Sequence, residues 1–62
     1  MTREELIKIE GNVLTAKEFE NVYNSEIIIN VQNCGRSGLK ENCIWVILIL
    51  LDGTEVNLYV KD

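Results

Sequence analysis

The side chains that most often do chemistry in proteins are scarce in this chain. Histidine is absent from its 62 residues, which removes the commonest general base and nucleophile activator. Neither a Ser-His-Asp nor a Cys-His arrangement can then be assembled within one chain. The two thiols, Cys34 and Cys43, are separated by eight residues, a spacing that matches no common zinc motif. They read as small apolar side chains, although paired strands around them could bring them opposite each other. Carboxylates stand close together at Glu4/Glu5 and at Glu18/Glu20. Adjacent helical positions do not face one another, so both pairs read as solvated acidic surface. No catalytic residue, metal site or cofactor is expected, and the chain is not expected to be an enzyme.

One loop offers a different chemistry. Residues 33–42 hold two glycines, two asparagines and a serine among Cys34, Arg36, Leu39, Lys40 and Glu41, a composition that favours turns. As a bare tetrapeptide, Gly35-Arg36-Ser37-Gly38 resembles the G-x-x-G loop with which KH domains grip a nucleic-acid backbone. That loop joins two helices, whereas both flanks here read as strands. Nor is it a phosphate-binding P-loop, because Lys40 follows Leu39 and Glu41 stands where a magnesium-holding Ser or Thr is required. What remains is exposed glycine-rich backbone on which Arg36 and Lys40 could contact an anionic patch of a partner.

Net charge is −4. Residues 1–26 carry six acids against three bases, residues 27–51 carry Arg36 and Lys40 against Glu41, and the remainder is again acidic. Nucleic-acid binding draws most of its affinity from neutralised phosphates, and no basic stripe supplies that here. A basic protein surface suits the charge better, with Glu18 and Glu20 as candidate contacts. The longest apolar run, Cys43 to Leu51, is too short to span a bilayer. The opening Met1-Thr2-Arg3-Glu4-Glu5 is acidic where a secretory signal would be basic. A cytoplasmic chain with free thiols is therefore expected.

Hydrophobic residues at 47% and charged residues at 26% describe a chain that folds, and its length allows one domain, residues 1–62. Residues 5–14 are ambiguous. Thr2 with Glu5 forms a capping box, which argues for a helix. Ile7, Ile9 and Val13, with Gly11-Asn12 between them, argue for a strand broken by a turn or bulge; the strand is the expectation, with at most one helical turn before it. Residues 15–23 read as a helix, with Thr15 and Glu18 as a second capping box and Ala16, Phe19, Val22 and Tyr23 on one face. Residues 26–32 read as a strand, with Ile27, Ile29 and Val31 sharing a face.

Residues 43–61 read as a hairpin turning at Asp52-Gly53, a pair that suits a type I′ turn. A two-residue loop there sets Leu51 opposite Thr54 and Ile49 opposite Val56. One face then collects Trp45, Ile47, Ile49, Val56, Leu58 and Val60 as core. The other carries Ile44, Val46, Leu48 and Leu50 beside Tyr59, Asn57 and Glu55. An exposed apolar row of that kind marks an interface, so Ile44, Val46, Leu48, Leu50 and Tyr59 are the expected protein interface. The expected fold is small α+β: an antiparallel sheet of three or four strands with one short helix packed on a face, in the order β-α-β-β-β. The expected function is a non-enzymatic, acidic, protein-binding module, a homodimeric inhibitor or regulatory accessory protein. The alternative is a nucleic-acid-binding regulator using loop 33–42.

Overall fold

The structure, a computed structural model, describes residues 2–61. The elements run α1 (Arg3–Lys8), β1 (Val13–Leu14), α2 (Ala16–Tyr23), β2 (Ile28–Arg36), β3 (Cys43–Leu50) and β4 (Glu55–Lys61). The strands form one sheet in the order β1-β4-β3-β2. β2, β3 and β4 pair antiparallel, while β1 joins β4 in parallel. The fold is α+β as expected; among the described residues the sheet is mixed rather than wholly antiparallel, and a second helix, α1, precedes the expected order.

Both helices begin on a reciprocal capping box. Thr2 Oγ1 accepts from Glu5 N at 3.2 Å and Glu5 Oε1 accepts from Thr2 N at 2.8 Å. Thr15 and Glu18 repeat the device at 3.1 and 2.9 Å. The first box overturns the strand expected over residues 5–14. Gly11, whose cost in a helix interior argues for a strand, lies beyond the helix end at φ +85°, where a glycine costs nothing. Only Val13 and Leu14 of that segment are strand. Glu10 to Asn12 run alongside β4, where Gly11 N donates to Asn57 O at 2.8 Å and Tyr59 N donates to Asn12 O at 3.1 Å.

The hairpin is present, but its register differs by one residue from the expectation. Ile49 opposes Glu55, Leu48 opposes Val56 and Val46 opposes Leu58. A type I′ turn requires positive φ at both central residues, yet Gly53 at +89° has it and Asp52 does not. The loop is accordingly three residues long, Leu51-Asp52-Gly53. Gly53 N donates to Leu50 O, and Leu50 N to Thr54 O, each at 2.9 Å. A three-residue loop of this kind ends in a left-handed residue. Asp52 Oδ1 holds Thr54 N at 2.9 Å.

That single-residue difference exchanges the two faces. Val46, Leu48 and Leu50 are buried with Val56 and Leu58 beneath Leu6 of α1 and Val22 of α2, and Ile9, Leu14, Phe19, Ile28, Val31, Ile44 and Val60 pack around them. Leu6, Leu48, Val56 and Leu58 are fully buried, each worth roughly 1.5–3 kcal/mol. The row expected as an interface is the core, and Trp45, Ile47 and Ile49 lie on the open side.

β2 departs from strict alternation. Ile28 pairs with Leu50 but Asn30 with Ile49, so Ile29 is extra; Asn33 pairs with Val46 and Arg36 with Ile44, so Cys34 and Gly35 together face Trp45. These bulges explain why Ile28 and Val31 reach the core while Ile29 is exposed. Gly35, at φ +84°, carries the strand through to Arg36, inside the expected loop. Cys34 is exposed and Cys43 buried, and both are free thiols.

Candidate protein-docking face

The open side of the sheet is built by the alternation of β3 and β4. Residues directly opposite in an antiparallel pair share a face, so Trp45 lies with Tyr59, Ile47 with Asn57 and Ile49 with Glu55. Val13 joins beside Tyr59, while Gln32 lies beside Ile47 and Asn30 beside Ile49 on the other flank. Trp45 and Val13 are 37% and 39% exposed. Both helices pack on the opposite side through Leu6 and Val22. Among the described residues no helix packs on this face; the row Trp45, Ile47 and Ile49 runs along its centre, bordered by polar residues on both sides, and ends at the buried Cys43.

A polar network fixes the middle of this face. Trp45 Nε1 donates to Asn57 Oδ1 at 2.9 Å. Asn57 Nδ2 and its main-chain N donate to Glu10 Oε2 at 3.2 and 3.1 Å. The indole is thereby held by its polar edge while its ring stays in the apolar row, an amphipathic placement that suits a contact surface. At one end the loop 37–42 folds alongside. Ser37 N donates to Cys43 O at 2.9 Å, and the Lys40 ammonium stands 6.0 Å from the Tyr59 ring centroid, within cation–π range.

Of the residues the sequence singles out, Tyr59 lies on the open face and Lys40 lies against it. Val46, Leu48 and Leu50 are buried and Ile44 is half-buried on the covered side. Arg36 pairs with Ile44 on the edge strand, and loop 33–42 does not form one continuous exposed loop. Glu18 and Glu20 are exposed on α2, remote from the open face, and Glu18 is committed to its capping box. Trp45, Ile47 and Ile49, which the sequence alone places in the core, lie on this open face. The polarity of Glu55, Asn57 and Tyr59 on the strand alongside marks the open side once the register is known.

The edge of the sheet contrasts with its face. β2 has a strand on one side only, and such edges template pairing with other chains. Here Val31 N is held by Asn30 Oδ1 at 2.9 Å and Gly35 N by Asn33 Oδ1 at 2.8 Å. Two main-chain donors of the edge are consumed by side chains of the same strand, and two bulges interrupt its line.

A concavity of about 420 Å³ between α2 and β2 is lined by Tyr23, Ile28, Ile29, Asn30 and Val31. Its volume suits a small ligand, but it gathers no acid–base pair. Among the described residues no cluster of His, Cys, Asp or Glu could hold a metal ion, and no helix is long and apolar enough to cross a membrane. Comparison with protein-family models, curated proteins and solved structures yields no match.

Proposed function

We propose that this chain is a non-enzymatic protein-binding module, an accessory or inhibitory factor of the reducing cytoplasm, that docks through the open face of its sheet. The observation that carries this reading is the row Trp45, Ile47 and Ile49, left uncovered at the centre of a sheet whose other face is closed by both helices. A solvated sheet face is ordinarily polar; large apolar side chains retained there are the usual mark of an interaction surface. Tryptophan and tyrosine, both present, are the side chains most enriched at such surfaces.

The acidic helical layer plays a separate part. Glu4, Glu5, Glu18 and Glu20 are exposed, and complementary charge accelerates encounter with a basic partner more than it sets final affinity. Ile47→Asp places a charge in the middle of the open row without touching the covered core. A protein retained by the immobilised wild-type chain and lost with Ile47→Asp, while the variant keeps its circular dichroism, supports this reading. Equal retention by both chains overturns it. Salt-sensitive binding of a random duplex, undiminished by Ile47→Asp, would favour the nucleic-acid reading instead.

A further inference from the structure

We propose that the occupant of the open face is a second copy of this chain, stacked face to face with its strands running in the opposite direction. The proposal rests on the reading of that face as a docking surface and is carried by the charge order along β4. The open-face residues of that strand are, in sequence, Glu55, Asn57, Tyr59 and Lys61; the first three stand opposite Ile49, Ile47 and Trp45 of β3, and Lys61 stands opposite Cys43, which is buried where loop 37–42 folds alongside. An acid therefore begins the row and a base ends it, about 20 Å apart over six residues. Lys40, over the Tyr59 ring, strengthens the basic end, and Glu10, bonded to Asn57, lies toward the acidic one. Neither Glu55 nor Lys61 is paired within the described residues.

A two-fold axis lying between the two sheets and perpendicular to the strands keeps each strand over its own copy while reversing its direction. Glu55 of each copy then meets Lys61 of the other, and Asn57 meets Tyr59. The centre falls at the level of Val46 and Leu58, so Trp45 of each copy packs against Ile47 of the other. A two-fold contact must be self-complementary, and this row satisfies that requirement for both charge and apolar surface. An axis parallel to the strands would keep Glu55 at the level of Glu55 and Lys61 at the level of Lys61, so that the two charges never oppose each other, and is disfavoured. The helices remain on the outer sides, so the dimer displays two acidic layers.

A face three strands wide buries roughly 400–500 Å² per copy, below the ~800 Å² of a standard interface, so dimerisation is expected to depend on concentration. The chain has one tryptophan, and it lies in the contact. Sedimentation equilibrium from about 1 µM to 1 mM, with Trp45 emission followed in parallel, is expected to show monomer passing to dimer with a blue shift. Glu55→Lys alone and Lys61→Glu alone should each weaken association by roughly tenfold or more. The double exchange, Glu55→Lys with Lys61→Glu, should restore it. Monomer throughout the range overturns the proposal, and so does dimerisation in which the double exchange fails to rescue the single changes. If the chain stays monomeric while Ile47→Asp still abolishes capture of another protein, the docking face stands and only its occupant is wrong.

Discussion

Leu48 and Ile47 are neighbours on β3 whose side chains leave the sheet on opposite sides. Leu48 is fully buried beneath the helices, whereas Ile47 is half-buried beside Asn57 and Gln32. In composition the two sides of this strand are indistinguishable: Ile44, Val46, Leu48 and Leu50 on one, Trp45, Ile47 and Ile49 on the other. What separates them lies on β4, which sends Val56, Leu58 and Val60 one way and Glu55, Asn57 and Tyr59 the other. An apolar central strand does not choose its core side; its partner chooses through the register, and the register depends on a turn.

The sharpest test of this contrast is a matched pair of truncations. Leu48→Ala should cost about 2–5 kcal/mol, since it opens a cavity in the core, a large fraction of the stability of a domain of this size. Ile47→Ala, one residue away, should cost about 1 kcal/mol or less. Urea titrations of the two variants compare them directly, and equal costs would mean that the faces are wrongly assigned. Next in size is Gly53→Val, which forces a β-branched residue to φ +89° and should cost about 2 kcal/mol. An unchanged melting curve would break the three-residue loop and with it the register.

The two helices extend the test with smaller effects. Thr15→Ala removes the cap of α2 and should cost about 1 kcal/mol, read as a shift in the denaturation midpoint. Glu18→Lys breaks the reciprocal half of the same box, so it is not the neutral surface change its helical position suggests; Glu20→Lys is the cleaner probe of electrostatic steering.

The smallest effect concerns pH. Hydrogen bonds from Thr2 hold the Glu5 carboxyl below its ordinary value of 4.5, and hydrogen bonds from Thr54, assisted by Arg3, hold Asp52 below 3.8. Folding therefore favours both ionised forms. Their contribution is complete above those ordinary values and is lost as pH falls through the lowered ones. Both residues are exposed, so the loss is slight. Glu5→Gln and Asp52→Asn should each flatten the decline in melting temperature between about pH 5 and pH 3.

Much of this arrangement is legible in the residues themselves. Thr15 and Glu18 announce α2, and Asp52-Gly53 announces the hairpin, because caps and turns are local interactions. The register is not local. Asp-Gly suits loops of two or of three residues, and β3, apolar on both sides, carries no alternation to decide between them. From the sequence alone the open-side row Trp45, Ile47 and Ile49 consequently reads as core, and the covered row Ile44, Val46, Leu48 and Leu50 as exposed. The bulges at Ile29 and at Cys34–Gly35 were illegible for a similar reason: an extra residue is visible only once the pairing of both strands is known. At residues 5–14 the capping box carried the correct answer, and Gly11 misled because its position relative to the helix end was unknown.

Asn30 and Asn33, turned back onto the main chain of β2, bear on how large an assembly can grow. A strand edge that accepts a neighbour exposes a fresh edge by doing so, and growth of that kind has no natural end. A face that accepts a neighbour is used up by it. By occupying two edge donors with its own amide side chains the chain hinders the unlimited mode of association, and the face-to-face dimer proposed above is of the kind that terminates.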